Sequence, residues 1–258
     1  MGRLRSVSRR KRVVAANPHR HHIAWLQWRC HSMMEPQRVA RASSIEAMTI
    51  ESAPVSRIRS SGNLPPRFFS GQYYDRPIAE TKSFFAVPSL GSLVPGWLLL
   101  VPKRQATSLA QLTLEEAVEL KVFASEMTAK LALVYGEVVQ FEHGATVIGS
   151  KTGCGVDQAH LHLVPLSNDR FQAAVREEGT KLGLKWLGGG LRPFGGGASS
   201  DYLWFSAGSR SRICIPAQPV SQFFRRCVAR AIGLPDSWDY REHPSHDVVK
   251  ATIQQLAA

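Results

Sequence analysis

The chain has 258 residues, of which 44% are hydrophobic, and a formal net charge of +12 at pH 7. This length and composition predict one large or two modest folded domains with a real core. Residues 1–67 hold 13 Lys and Arg against 3 Asp and Glu, whereas the other 191 residues hold 19 against 17, which argues against nucleic-acid binding by the body of the chain.

Residues 1–67 are predicted to form a basic, disordered N-terminal arm or leader. They are rich in Arg and Ser and show no sustained helical or strand periodicity. Three interpretations stay open: an arm that binds nucleic-acid phosphates by charge, a transit peptide, or a translation start at Met33, Met34 or Met48. Any contact with nucleic acid is predicted to run through this arm alone.

The cysteines and the hydropathy predict a soluble, cytoplasmic protein without membrane association. There is no run of 18 or more apolar residues, so no transmembrane helix is expected. The cysteines lie far apart, form no Cys-x-x-Cys pair and follow no secretory signal, which is typical of reduced thiols. They are Cys30, Cys154, Cys214 and Cys227.

A folded domain is predicted over residues 68–167, beginning with a β-hairpin and a long helix. Two apolar runs, 83–89 and 96–102, are bounded by Gly and Pro and predict two antiparallel strands. Residues 113–135 predict a helix that opens with a Thr113/Glu116 capping box and ends at Gly136. The apolar stripe of this helix consists of Leu120, Phe123, Met127, Leu131 and Val134.

Residues 137–144 then predict a strand, and a glycine-rich loop leads to another strand that Pro165 closes. Residues 168–258 are predicted to be a C-terminal extension packed on this domain, with a short helix, a Gly-rich segment, a hairpin through Gly208 and two helices. The pattern predicts an α+β fold with a mostly antiparallel sheet, because hairpin-length loops leave no room for repeated parallel crossovers.

The segment GCGVDQAHLHLVPL, residues 153–166, carries the candidate chemistry. On a strand, Gln158, His160 and His162 would point to one face and the apolar residues between them to the other. Two imidazoles on one face could share a metal ion, but the residues that follow offer no carboxylate or thiol, and we predict no metal and no cofactor. A neutral imidazole could instead attack phosphorus beside a loop whose amides bind phosphate oxygens. Two surface histidines on a half-buried strand are the third interpretation.

The residues QAHLHLVPL resemble the signature of the histidine triad (HIT) superfamily of nucleotide hydrolases and transferases, His-φ-His-φ-His-φ-φ with φ apolar. Gln158 stands where the first histidine usually lies. Upstream, PGWLLLVPKRQATSLAQLTLEE is similar to the family segment in which a strand ending in Pro-Lys leads to the long helix. The resemblance spans roughly residues 73–166.

This resemblance implies a HIT-like fold and hydrolysis or transfer of a nucleotidyl group at the α-phosphate of a nucleotide or nucleotide conjugate. His160 matches the nucleophile that becomes nucleotidylated, and His162 matches the histidine that contacts the phosphate. Gln158 matches the histidine that helps to orient the nucleophile. The resemblance also implies a homodimer formed through the sheet and the long helix.

Five further residues are predicted to bind the nucleotide or its phosphate. Gly153, Cys154 and Gly155 would offer backbone amides, because glycines permit the close approach that an anion-binding loop requires. Lys103 is the lysine of the Pro-Lys pair that ends the upstream strand in the segment similar to the HIT family. His143, at the end of the 137–144 strand, is the candidate donor for the leaving group, although a solvent-facing histidine at a strand end is the alternative.

The chain also departs from the family pattern. Trp97 and Gln105 stand where the family often has histidines, and Gly155 stands where it often has a small polar residue. A nucleotide-binding module without turnover therefore stays the alternative function. Arg225 and Arg226 in the extension could bind phosphate, although arginines on a helix surface are more often solvated.

Overall fold

The computed structural model describes residues 76–153, 156–188 and 194–256. These ranges contain eight strands and four α-helices in the predicted α+β arrangement. The predicted N-terminal arm lies outside them. The strands are β1 (Ala79–Glu80), β2 (Phe84–Pro88), β3 (Leu98–Pro102), β4 (Val138–Gly144), β5 (Leu161–Pro165), β6 (Leu187–Gly188), β7 (Tyr202–Ala207) and β8 (Arg210–Cys214). The helices are α1 (Leu114–Tyr135), α2 (Asn168–Lys181), α3 (Phe223–Ala231) and α4 (His246–Leu256).

The strands form one antiparallel sheet in the order β1-β2-β3-β5-β4-β7-β8-β6. The predicted hairpin is β2 and β3, and β5 lies between β3 and β4, so the histidine strand has a neighbour on each side. Strand β7 pairs with β4 and carries the sheet into the C-terminal extension. The domain boundary at residue 168 remains a prediction, and the structure shows that the two sides of it share one sheet.

Helix α1 begins and ends where the sequence predicts. The Thr113 hydroxyl accepts the Glu116 amide, and the Glu116 carboxylate accepts the Thr113 amide at 2.8 Å, which completes the capping box. Gly136 ends the helix with a φ of +84°, a conformation that glycine adopts without steric cost.

The predicted apolar stripe of α1 is correct for four of its five residues. Leu120, Phe123, Met127 and Leu131 are buried. Val134 is 49% exposed, so its assignment to the core is wrong. Tyr135 makes the core contact of the last turn instead, with its ring lying against the backbone of Gly96.

The sheet has an apolar core on each face. One core lies under α1, and the other lies under α2 and α3. Side chains of β5 alternate between the two cores: Leu161 and Leu163 enter the α1 core, and His162 between them points to the opposite core, where its ring contacts Phe141 and Trp97. The predicted alternation is confirmed from Leu161 onward, but the strand begins there, so Gln158 and His160 lie before it and not on it. Both faces of the strand are buried.

Gly144, at the end of β4, lies where another residue has no room. An added Cβ would come within 2.1 Å of the Tyr202 ring, and that ring is fixed because its hydroxyl donates to the buried Glu142 carboxyl at 2.7 Å. We expect Gly144→Ala to lower the free energy of unfolding by about 1–3 kcal/mol. The matched variant Gly188→Ala, with nothing within 4 Å of an added Cβ, should change it by less than about 0.5 kcal/mol. Equilibrium urea unfolding measures both, and equal losses would contradict the packing argument.

Candidate active site

His160 lies directly before β5, and the backbone holds its ring. The His160 Nδ1 atom is 2.8 Å from the carbonyl oxygen of Gln158. A carbonyl oxygen can only accept, so Nδ1 carries the proton and the lone pair of the neutral ring is on Nε2. Burial lowers the pKa of His160 below its usual 6.5. The structure therefore presents a neutral imidazole with its basic nitrogen turned away from its own main chain.

His162, one residue into β5, is held between two aromatic side chains. The Trp97 indole Nε1 lies 3.0 Å from His162 Nδ1, and the Phe141 ring stacks on the imidazole at a centroid distance of 4.3 Å. An indole N–H can only donate, so Nδ1 accepts and the proton of His162 is on Nε2. Burial, joined by His160, His143 and Arg225, lowers the pKa of His162 well below 6.5. The two motif histidines, 4.6 Å apart by centroid, thus hold opposite tautomers.

His143 on β4 joins the pair, with its ring 6.0 Å from that of His162 by centroid. Its Nε2 accepts the backbone amide of Phe224 at 3.2 Å, so its proton is on Nδ1. That Nδ1 is buried and has no hydrogen-bond partner among the described residues. Burial first, then His160 and Arg225, lower the pKa of His143 to about 3. The solvent-facing alternative is wrong, because the residue is only 4% exposed.

Gln158 contributes to the site through its main chain. Its side-chain Nε2 donates to the carbonyls of Pro102 at 2.8 Å and Arg104 at 2.9 Å, and so ties the segment before β5 to the end of β3. The contact with His160 comes from the Gln158 carbonyl, which every residue type possesses. The predicted side-chain amide contact with the nucleophile is therefore replaced by a backbone contact.

Two carboxylates shape the loop between β4 and β5. Asp201 accepts the amide and the hydroxyl of Thr146, both at 2.8 Å, and the hydroxyl of Ser150. Asp157 accepts the Gly149 amide at 2.6 Å. Gly153 is buried at the end of the described part of this loop. Cys154 and Gly155 lie outside the described residues, so phosphate binding by these amides stays a prediction.

Lys103 is held by strands β1 and β2. Its ammonium lies 3.0 Å from the Glu80 carboxylate and 4.5 Å from the centroid of the Phe85 ring. The structure does not bring this lysine into hydrogen-bond contact with the histidines. Its role in nucleotide binding stays a prediction.

Arg225 is a residue of this site that the sequence pattern did not place there. It is only 4% exposed, so the expectation of a solvated helix surface is wrong for it. Its guanidinium carbon lies 5.0 Å from the centroid of the Trp97 ring. The run FFRRCVARA of α3 contains apolar residues on both sides of Arg225, and that pattern is the signal which could have indicated burial.

Within the described ranges, no group of three or more His, Cys, Asp or Glu side chains is arranged to hold a metal ion. The predicted independence from metal stays a prediction. The helices found in those ranges are also all too short or too polar to cross a membrane.

The fold and the site together define a class: an α+β protein that presents neutral histidines on a central antiparallel strand, next to a glycine-rich loop. Residues 70–169, which run from before β1 into the start of α2, match the family model described as HIT domain. This segment of the chain therefore contains a HIT domain, which supports nucleotide binding, hydrolysis or transfer as its general function. Among curated proteins no sequence matches the chain.

The buried histidines predict a fold that loses stability in mild acid. Burial lowers the pKa of His143, His160 and His162 below the 6.5 of an unfolded chain. Below pH 6.5 the unfolded state therefore binds protons that the folded state does not, and the free energy of unfolding falls as the pH falls. Glu142 opposes this between about pH 7 and 4.5, because burial raises its pKa to about 7 and the folded state then holds the extra proton. With three groups against one, we expect a net loss of stability from pH 6.5 to 5.

His143→Gln tests the contribution of His143 to this loss of stability. Glutamine can still accept the Phe224 amide but cannot titrate, so the slope of unfolding free energy against pH should decrease by up to about 1.4 kcal/mol per pH unit. His243→Gln, which replaces a histidine that the fold leaves exposed, is the matched variant for comparison. Urea unfolding at several pH values measures the slopes. Identical slopes for wild type and His143→Gln would show that His143 is not held neutral by the fold.

Proposed function

We propose that the protein hydrolyses or transfers nucleotidyl groups, with His160 attacking the α-phosphate of a nucleotide or nucleotide conjugate. The observation that carries the proposal is the hydrogen bond from His160 Nδ1–H to the Gln158 carbonyl. It leaves the lone pair on Nε2, the nitrogen that attacks. Because burial lowers the pKa of His160, the nucleophile needs no deprotonation before it reacts.

The reaction proceeds in two displacements at phosphorus. First, His160 Nε2 forms a bond to the α-phosphorus while the bond to the leaving oxygen breaks. The ring becomes cationic in this covalent intermediate, and the Gln158 carbonyl stabilises that charge through Nδ1–H. Water or another acceptor then attacks phosphorus and loses a proton, the nitrogen–phosphorus bond breaks, and His160 returns to its neutral form.

Two histidine N–H groups supply donors for the oxygens of this reaction. The proton on His162 Nε2 is fixed there because Trp97 occupies Nδ1, and it is the proposed donor to the α-phosphate. His143 Nδ1–H is the proposed donor to the leaving oxygen, because it is buried next to the pair with no acceptor within the described residues. It acts by hydrogen bonding and not as an acid, since its pKa is about 3. The amides of residues 153–155 complete the proposed phosphate site.

A nucleotide-binding module without turnover is the second candidate. The side chains at two positions where the family often has histidines are already engaged: the Trp97 indole donates to His162, and the Gln105 amide donates to the Asp157 carbonyl. Neither residue can deliver a proton to a leaving group. This candidate requires nucleotide binding with no covalent intermediate.

The homodimer also stays a proposal. Leu114, Val118 and Val122 follow one another at four-residue spacing on α1, and all three are more than half exposed. An apolar helical face of this kind is compatible with pairing through the long helix, which the HIT resemblance implies. Cytoplasmic location and nucleic-acid contact through residues 1–67 likewise remain predictions.

The covalent step is tested by intact-mass spectrometry after brief, acid-free quenching with adenylated and guanylated substrates. We expect a transient mass increase of one nucleotide in the wild type and none in His160→Ala. Acid is avoided because a phosphorus–nitrogen bond to imidazole is acid-labile. The size of the adduct identifies the base.

His243→Ala, which removes an exposed histidine, serves as the matched control and should keep the adduct. An adduct that persists in His160→Ala would assign the nucleophile to another residue. Nucleotide binding by the wild type with neither adduct nor substrate loss would favour the binding module.

A further inference from the structure

The C-terminal extension reaches the histidines at two adjacent residues of α3. The Phe224 amide donates to His143 Nε2 at 3.2 Å, and the Arg225 guanidinium lies over Trp97, which itself donates to His162 Nδ1. Helix α3 lies outside residues 70–169, the segment that matches the HIT domain. Part of the immediate environment of the histidines therefore comes from a segment beyond that domain.

Hydrogen bonds and aromatic rings hold the guanidinium of Arg225 in one place, so its positive charge has a fixed position. Its Nε donates to the Trp238 carbonyl at 2.9 Å, and an Nη2 hydrogen is donated to the Gly91 carbonyl. The guanidinium lies between aromatic rings, with its carbon 5.0 Å from the centroid of Trp97 and 5.6 Å from that of Tyr240. Carbonyls and rings hold a guanidinium without neutralising it. Because burying a cation is costly, this many fixed contacts are needed to keep it there.

The charge of Arg225 acts on the histidines across the α2/α3 core. The groups that act electrostatically on His162 are His160 beside it, His143 on β4 and Arg225 on α3. His160 and Arg225 act in the same way on His143. The Asp239 carboxylate also lies within the electrostatic reach of Arg225. A fixed cation next to neutral imidazoles opposes their protonation.

We propose that Arg225 is a positioning residue for the reaction: it holds Trp97 against His162 and, together with burial, favours the neutral, single-tautomer forms of His162 and His143. This inference rests on the proposed function, and it adds to the proposed site a residue of α3, which lies outside residues 70–169. A protonated His162 would present an N–H to the Trp97 N–H, and the contact that places the Nε2 proton would be lost. Arg225 therefore extends the range of acidity over which the site stays competent.

The test compares Arg225→Gln, which removes the charge, with Arg225→Lys, which retains it. Nuclear magnetic resonance of the imidazole groups follows the titration of His162 and His143, and the pH profile of kcat/KM follows activity. In Arg225→Gln the titration midpoints of both histidines and the acid limb of the profile should move to higher pH, because the opposing charge is removed. In Arg225→Lys the acid limb should stay at its wild-type position, while kcat falls because lysine lacks the planar group that stacks on Trp97.

Arg226→Gln is the matched control, because it removes a charge from the next position of the same helix, where the guanidinium lies 4.4 Å from the centroid of the Trp238 ring. It should leave the acid limb unchanged. A folded Arg225→Gln protein with wild-type histidine midpoints would overturn the inference. If Arg225→Gln does not fold, Arg225→Lys is the deciding variant. A shift in the acid limb of its kcat/KM profile would then overturn the inference. The titration midpoints of His162 and His143 are measured without substrate. A wild-type protein that shows no turnover would therefore refute the proposed function, and the effect of Arg225 on the histidines could still be tested.

Discussion

Three hydrogen bonds with only one allowed direction organise the centre of this protein. The Gln158 carbonyl can only accept, and the Trp97 indole and the Phe224 amide can only donate, so each assigns one tautomer to the histidine it contacts. Because the rings are buried, the neutral form is favoured and these assignments are not averaged by water. The lone pair of the proposed nucleophile, His160, and the two proposed donor protons, on His162 and His143, all follow from these contacts.

The burial of the histidines affects both the stability of the fold and the chemistry proposed for the site. Two apolar cores enclose the sheet, and His162 is part of the one under α2 and α3, where it stacks on Phe141. Polar rings in such a core are costly unless they are hydrogen-bonded, and the Nδ1–H of His143, which has no partner among the described residues, retains that cost. A substrate oxygen would satisfy that donor. In the proposed mechanism, accepting this hydrogen bond would recover on substrate binding the free energy that folding leaves unrecovered at His143.

Local patterns predicted the parts of the fold that depend on neighbours in sequence. The β2–β3 hairpin, the capping box of α1 and the alternation of β5 follow from turn residues and from the repeat of each element. The pairing of β7 with β4 was not predictable, because strand order depends on contacts between residues more than 50 positions apart. Arg225 was assigned to the surface because charged residues usually lie there, although apolar residues flank it in α3, and its contacts with Trp97 and Tyr240 show where it is buried.

The proposed mechanism depends on the tautomers of the histidines, and nitrogen-15 nuclear magnetic resonance of the imidazole rings measures these directly. Spectra of histidine-labelled protein at pH 7, assigned with single-histidine variants, distinguish protonated from unprotonated ring nitrogens. We predict that His160 and His143 carry their proton on Nδ1 and that His162 carries its proton on Nε2, all three rings being neutral. A His160 ring protonated on Nε2, or on both nitrogens, would have no lone pair on Nε2, the nitrogen proposed to attack phosphorus, and would contradict the mechanism.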